Sequence, residues 1–203
     1  MASSEDEEVY SYLVELEQDS GDYNLGKMRD EILEEDEEDL RHTALHEGGH
    51  AVAMEVIGPG VFSVSLIPRV NDGDLNSRGH TCPLATSHED ATNPSEQAQA
   101  AVSLAGPVVS YRVGDEMYKE IVEDALRGEM VIGGDLVQAM ESISSFKSPG
   151  QSEIGVLRKI WRDTYRFISG RMDEVRAIAE KLMDKHRKAI EDEWRHILPI
   201  LDR

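Results

Sequence analysis

The pattern of apolar and polar residues along the chain predicts mostly helices. Residues 39–57 form the first strongly patterned segment, with apolar side chains at helical spacing, and the sequence IGPG at 57–60 stops that helix. Residues 93–114 have the same spacing and begin with Asn and Pro, a helix-start signal. Residues 133–145 predict another helix, and residues 148–198 predict two or three amphipathic helices.

One region between these helices has a different period. Residues 61–68, VFSVSLIP, alternate in polarity and are rich in β-branched side chains, which predicts a strand. Residues 80–85, HTCPLA, predict the returning strand, with Pro83 placing it at a sheet edge. The predicted fold class is therefore mainly α, a helical domain with a small β-hairpin or sheet beside the helix at 39–57.

Negative charge is concentrated at the N-terminal end of the chain. The net charge is −20, and residues 1–40 hold 16 Asp or Glu against 2 Lys or Arg. This balance disfavours binding to nucleic acid or to an anionic membrane. We expect residues 1–38 to be an acidic segment, helical or partly flexible, and residues 39–203 to be one domain. Within the acidic segment, residues 8–17 predict a short helix from the apolar positions Val9, Tyr12, Leu13 and Leu16.

The remaining composition points to a soluble protein of a reducing compartment. Cys82 is the single cysteine, so an internal disulfide framework is excluded. No apolar run approaches the ~18–20 residues that a membrane span needs. The N-terminus is acidic, unlike a secretory signal or a transit peptide. We therefore expect a cytoplasmic protein.

The sequence HEGGH at 46–50 carries the candidate chemistry, because it fits the zinc-hydrolase pattern H-E-x-x-H. Two histidines four residues apart lie on nearly the same helix face, so His46 and His50 can offer two imidazole nitrogens to one ion. Glu47 is rotated by ~100° around the helix from His46. It is placed to act as general base on a metal-activated water and then to pass the proton to the leaving amine.

The surroundings of this motif leave several questions open. Gly48 and Gly49 cost a helix interior ~1 kcal/mol each relative to alanine, so close approach of another chain segment or of substrate would explain them. His42 lies one turn back on the same face, too far to share one small ion with His50, and a supporting or surface role is favoured. A zinc hydrolase needs a third protein ligand. From the residues alone the candidates are Asp72, Asp74, His80, His88, Glu89, Glu96, Glu116 and Asp135.

Several motifs together resemble one family, the FtsH-type (M41) zinc metallopeptidase domain. HEGGH stands where that family has His-Glu-Ala-Gly-His, and VSLIPR at 64–69 matches its strand that ends in Ile-Pro-Arg. RGHTCPLA matches its second strand, and AVSLAGPVVSYRVG matches its helix with a Leu-(Ala/Gly)-Gly element. IGGDLVQAM matches its glycine-rich approach to an Asp that starts a helix. The resemblance covers about residues 39–198.

The resemblance implies a ligand set and an activity. His46, His50 and Asp135 would bind one Zn²⁺ per chain, and Glu47 would be the catalytic base. The expected function is a zinc-dependent endopeptidase that hydrolyses unfolded proteins or peptides. The edge strand, at Val64, Ser65 and Leu66, would pair with an extended substrate through its main chain. Family members form hexameric rings, so a homo-oligomer is expected.

The chain also departs from the family. FtsH proteins have membrane anchors and an ATPase module ahead of the peptidase domain, whereas this sequence has no transmembrane run and no G-x-x-x-x-G-K-[ST] loop. An acidic stretch stands in their place. We therefore expect an activity that is independent of ATP. The alternative is a catalytically silent binding or regulatory module that keeps the fold, and residues 1–38 could also act as an autoinhibitory lid.

Overall fold

The computed structural model describes residues 37–66, 69–71, 74–77, 79–83, 94–129 and 134–201, with the side chains of 69–77, 117 and 189–201 outside that description. It is mainly helical with two small antiparallel sheets. In chain order the elements are α1 (Glu37–Ile57), β1 (Val61–Ser65), β2 (Arg69–Asn71), β3 (Asp74–Ser77), β4 (His80–Pro83), α2 (Glu96–Val113), α3 (Glu116–Arg127), α4 (Gly134–Phe146), α5 (Glu153–Ser169) and α6 (Met172–Leu201).

Helix α1 agrees with the predicted helix at 39–57. Three acidic residues in its first turn favour the start, because negative charge near a helix N-terminus complements the helix dipole. At the other end, the amide of Gly58 donates to the carbonyl groups of Ala53 and Met54. Gly60 has a φ of 90°, which a glycine adopts without strain, and the chain turns directly into β1. The predicted stop at IGPG is confirmed.

The predicted pair of strands is also present. β1 runs antiparallel to β4, with Val64 opposite Thr81 and Ser65 opposite His80. The register shifts near the start of β1, between Val61 and Ser63. A second antiparallel pair, β2 with β3, lies between them in the sequence. The coarse fold class predicted from the sequence is thus confirmed, with one strand pair more than expected.

Helix α2 begins slightly later than its start signal suggested. Ser95 is the N-cap, and its hydroxyl accepts a hydrogen bond from the amide of Ala98 at 3.2 Å. The start predicted from Asn93 and Pro94 was therefore wrong by about two residues, since the serine side chain satisfies the free amide. Asn93 itself lies outside the described residues. The helix continues through Pro107 and ends at Gly114, whose φ is 94°.

Helix α2 lies at the centre of the packing. It contacts α1, α4, α5 and α3, and α6 packs along α1. Its central residues, including Leu104, Ala105 and Val108, are completely buried. The region at 148–198 forms two helices, α5 and α6, within the predicted two or three. No helix in the described part of the chain is long and apolar enough to cross a membrane.

Candidate metal centre

The HEGGH sequence lies in the buried middle of α1, between α2 and α6. His46, Glu47 and His50 are each only 7% exposed. A Cβ atom at Gly48 would lie 2.9 Å from the carbonyl oxygen of Val175 in α6, and one at Gly49 would lie 2.8 Å from that of Ala105 in α2. Both glycines therefore allow neighbouring helices to approach α1 closely. Glycine is unfavourable inside a helix, and from this we predicted that another chain segment or substrate comes close to Gly48 and Gly49. The close approach of other chain segments is confirmed.

Three ligand atoms from two distant segments converge at this point. The Nε2 atoms of His46 and His50 are 3.1 Å apart. Oδ2 of Asp135, in the first turn of α4, is 2.9 Å from Nε2 of His46 and 3.4 Å from Nε2 of His50. In the described part of the chain, these residues are the one group of three that could hold a metal ion. From the sequence, only the family resemblance had singled out Asp135 as the third ligand.

The opposite nitrogen of each imidazole is held by α2. Nδ1 of His50 lies 2.9 Å from the carbonyl oxygen of Val102, and Nδ1 of His46 lies 2.9 Å from the hydroxyl of Ser110. A carbonyl oxygen can only accept, so Nδ1 of His50 is the protonated donor. A neutral His50 then presents the lone pair of Nε2 to the centre. Such outer partners orient histidine ligands in metal sites and raise their basicity.

Gly106 keeps the space between the ligand atoms open. A Cβ atom there would lie 2.4 Å from Nε2 of His50 and 2.5 Å from Nε2 of His46. No side chain fits at this position of α2 without entering the point where the imidazoles meet. The Leu-Ala-Gly element of the sequence thus has a physical use, because it brings the helix backbone against the candidate ion position while leaving that position free.

The electrostatics of the centre couple His50 to Asp135. Burial by itself lowers the pKa of His50. The charge and hydrogen bond of Asp135, together with the charge of Glu47 and the hydrogen bond to the Val102 carbonyl, outweigh burial and raise that pKa to about 9. Burial likewise favours a neutral Asp135, yet the charge of His50 and hydrogen bonds from both histidines hold the pKa of this carboxyl well below its usual range. Without an ion, a proton on His50 therefore balances Asp135 at neutral pH.

The donor set fits a divalent ion such as zinc. Two imidazole nitrogens and one carboxylate oxygen are a ligand combination found in catalytic zinc sites, which keep a further position for water or substrate. Two neutral imidazoles whose Nε2 atoms face each other at 3.1 Å need either a proton or a cation between them. A bound cation satisfies both nitrogens and Asp135 at once.

Glu47 is held beside these ligands by the sheet. The hydroxyl of Thr81 in β4 donates to Oε2 of Glu47 at 2.8 Å and lies 3.2 Å from the carbonyl oxygen of the same residue. A Cβ atom at Gly79 would lie 2.9 Å from Cγ of Glu47, so the chain before β4 also passes against this side chain. The predicted sheet beside the motif helix therefore positions the candidate base directly.

Tyr118 is a neighbour of the centre that sequence reasoning missed. Its ring lies 4.9 Å from the ring of His46, measured between centroids and tilted by 44°. Burial and the negative charges of Asp135, Asp115 and Glu47 raise the pKa of its hydroxyl, so the phenol stays protonated. The surrounding sequence DEMYKEIV reads as an ordinary helix start. Only the packing of α3 against α2 brings this tyrosine to the site.

The remaining ligand candidates lie elsewhere or outside the described residues. Nδ1 of His42 is 3.9 Å from a carboxylate oxygen of Asp115, the N-cap of α3, and His42 is not among the converging ligands. His80, Glu96 and Glu116 are also not part of that group. Three further candidates, Asp72, His88 and Glu89, lie outside the described residues. Asp74 lies in β3, but its side chain is outside that description.

The strand predicted to bind substrate lies beside the site, and some of its side chains pack in the hydrophobic core. Leu66 is only 3% exposed and Val64 packs against buried core residues. Val64 is the pairing partner of Thr81, which holds Glu47. Leu66 lies just beyond Ser65, the last residue of β1. Main-chain pairing of a substrate at Val64, Ser65 and Leu66 stays a prediction.

Comparison with known proteins adds no family to this geometry. No family model matches the chain, no curated protein matches it, and no solved structure matches its fold. The resemblance to the FtsH-type peptidases therefore stays a prediction that rests on the motifs.

Proposed function

We propose that this protein is a zinc-dependent endopeptidase that acts on unfolded proteins or peptides without ATP. The observation that carries the proposal is the convergence of Nε2 of His46, Nε2 of His50 and Oδ2 of Asp135, all within 3.4 Å of one another. The next residue after the first ligand is a buried glutamate fixed by a hydrogen bond. This pairing of a three-ligand site with an adjacent base supports hydrolysis over simple ion storage.

Each residue has a defined task in this proposal. His46, His50 and Asp135 hold the ion, which when bound polarises a peptide carbonyl and acidifies water. Glu47 accepts a proton from the attacking water and then delivers it to the amine that leaves, so it ends the cycle in its starting state. Thr81 fixes the direction of the Glu47 carboxylate through the 2.8 Å hydrogen bond.

Tyr118 is the proposed hydrogen-bond donor in the same reaction. Its ring packs on His46, and its hydroxyl stays protonated because burial and nearby carboxylates raise its pKa. A protonated phenol can donate a hydrogen bond to the oxygen on which negative charge develops when water attacks a peptide carbonyl. In this proposal Tyr118 has that role, and the main chain of β1 aligns the substrate in extended form.

The test is degradation of casein by the full chain, with and without a chelator. Wild-type protein should cleave casein, and the chelator should abolish cleavage. Glu47→Gln should keep about the same zinc content but lose nearly all hydrolysis, because the amide cannot accept the water proton. Glu55→Gln is the matched control, since Glu55 lies on the same helix at an exposed position.

Two results would overturn the proposal. Undiminished cleavage by Glu47→Gln would remove Glu47 from the reaction. A wild-type protein that contains zinc but cleaves nothing would favour the binding or regulatory module instead. The second result would leave the metal centre intact while removing the assigned chemistry.

A further inference from the structure

A groove on the outer face of α5 carries an unusual concentration of positive charge for this chain. Arg158, Arg162 and Arg166 follow each other at four-residue spacing, so they line one face of the helix, and all three are exposed. Trp161, Tyr165 and Leu126 of α3 complete a groove of about 640 Å³. The surface therefore combines three guanidinium groups with aromatic and aliphatic side chains.

The three arginines are poorly balanced by the rest of the fold. Arg158 donates to the carbonyl oxygen of Leu126 at 2.7 Å, which is a neutral partner. Arg166 approaches Asp163 only at 3.9 Å. Arg162 forms no ion pair with the residues that the structure describes. In a chain of net charge −20, such a surface suits a ligand that is both acidic and partly apolar.

The N-terminal segment of the same chain has this chemistry. Residues 1–36 contain 13 Asp or Glu and 2 Lys or Arg, a net charge of −11. Residues 8–17 predict an amphipathic helix with acidic side chains beside one apolar stripe. That stripe would bury itself against the aromatic floor of the groove while its glutamates approach the arginines. Its members are Val9, Tyr12, Leu13 and Leu16.

The described chain begins at Glu37, and the end of α2 connects this residue to the groove. Glu37, at the start of α1, lines the same surface cleft as Val113 at the end of α2. The neighbouring Arg112 donates to the hydroxyl of Tyr165 at 3.3 Å, and Tyr165 lines the groove. The residues between 17 and 37 can span up to ~65 Å when extended. A tether of this length keeps the acidic segment at an effective concentration of roughly millimolar.

We propose that residues 8–17 dock into the groove formed by Arg158, Trp161, Arg162, Tyr165, Arg166 and Leu126 of the same chain. The docked segment neutralises the arginines and covers the aromatic side chains. This location is on α5 and shares no residue with the metal centre. The acidic segment is then a part of the fold's surface and not a lid over the candidate site, and the proposal does not depend on peptidase activity.

Hydrogen exchange of the full chain tests the docking. In wild-type protein at low salt, amides of residues 8–17 should exchange at least about tenfold more slowly than in R158E/R162E/R166E. Lys159, Lys181 and Lys185 are exposed and lie outside the groove, so K159E/K181E/K185E is a control with the same change in charge. It should keep the protection. Equal exchange in wild type and the groove variant would overturn the proposal.

A variant of the segment alone keeps the test valid if the groove variant unfolds. E8K/E15K/E17K alters only the segment and should remove its protection, whereas E31K/E34K/E35K, with the same charge change outside residues 8–17, should not. Combining E8K/E15K/E17K with R158E/R162E/R166E should restore protection, because the attracting charges are merely exchanged. Protection that E8K/E15K/E17K leaves intact would overturn the proposal. Protection that disappears on dilution would assign the groove to a second copy and overturn docking within the chain.

Discussion

The hydroxyl of Thr81 donates to the carboxylate of Glu47 at 2.8 Å, joining β4 to the helix that carries the candidate ligands. The same hydroxyl lies 3.2 Å from the main-chain carbonyl of Glu47. Two contacts from one side chain fix both the backbone and the carboxylate of a buried residue. In the proposed function, the small sheet therefore serves to orient Glu47.

Thr81→Val should lower kcat for peptide hydrolysis by about tenfold, because outer hydrogen bonds of this kind typically contribute 10–100-fold to a metal site. The isosteric valine keeps the volume of the threonine while removing the hydroxyl. Zinc content should stay unchanged, since Thr81 does not touch His46, His50 or Asp135. Thr81→Ser restores the hydroxyl and should restore kcat. Equal kcat in Thr81→Val and wild type would show that Glu47 needs no such support.

Gly106→Ala should abolish zinc binding while the helices stay folded. The added methyl would lie 2.4 and 2.5 Å from the two Nε2 atoms, in the space that an ion would use. Alanine also favours a helix over glycine, so helicity should not fall. Equilibrium dialysis with metal analysis measures the loss, and circular dichroism checks the fold. Gly155→Ala is the control, because its Cβ would meet nothing closer than 3.6 Å. Full zinc occupancy in Gly106→Ala would contradict the assigned ion position.

Tyr118→Phe should reduce kcat by about 100-fold, which is typical for the loss of one hydrogen-bond donor to a developing oxyanion. The phenylalanine ring keeps the packing on His46, so zinc affinity and stability should change little. Tyr111→Phe removes the same atom from a tyrosine that packs on Trp161, and it should leave kcat unchanged. A full kcat in Tyr118→Phe would reduce this tyrosine to a packing role.

Zinc binding should release a proton and strengthen as pH rises. In the absence of metal the pKa of His50 is about 9, so below that pH the ion must displace its proton. The apparent association constant should therefore rise about tenfold per pH unit between pH 7 and 9 and level off above that range. Titration calorimetry of zinc binding in buffers of different ionisation enthalpy measures the number of protons released. A binding constant independent of pH in this range would show that His50 is already neutral before zinc binds.

The raised pKa of His50, which lies beside Asp135, also predicts how the stability of the metal-free protein depends on pH. Because the folded pKa of His50 is raised, its contribution is fully present below its unfolded value of 6.5 and is lost as pH rises towards 9. Chemical unfolding of metal-free protein at pH 6.5 and 9 measures this loss. His50→Gln cannot titrate and should remove this part of the pH dependence.

His186 should destabilise the fold in acid. This side chain of α6 is only 7% exposed, and burial lowers its pKa below the usual 6.5. The unfolded chain then binds more protons than the folded one below pH 6.5, so the free energy of unfolding falls as pH decreases. The slope from one such group is at most about 1.4 kcal/mol per pH unit. His186→Gln should show a shallower loss between pH 6.5 and 5, and an unchanged slope would contradict the neutral, buried state.

Local pattern was enough to predict several parts of this protein. Helix α1 and its stop at IGPG follow from apolar spacing and from glycine, and β1 and β4 follow from alternation and β-branching. The start of α2 was misplaced because Ser95 supplies the capping oxygen in place of the Asn-Pro signal. Such caps depend on which of several polar residues the fold selects, and local sequence does not decide that.

Local sequence likewise predicted some residues of the candidate site and left another one open. His46, Glu47 and His50 could be predicted together because one helical turn returns to the same face, a property of the local backbone alone. Residue chemistry alone left the third ligand open among eight candidates, and Asp135 emerged only from a match of several motifs. Its place 2.9 Å from His46 depends on how α4 packs against α2.

The sequence by itself therefore determined the helices, the strand pair and the chemistry that one helical turn can present. The tertiary structure alone decided that Thr81 supports Glu47, that Ser110 and Val102 orient the imidazoles, and that Tyr118 lies against His46. These contacts join residues far apart in the chain, and they arise only after helices pack. Hydrophobic burial is non-directional, and it packs α2 and β4 on the motif helix and α3 on α2. The shapes of the side chains then decide which residues meet.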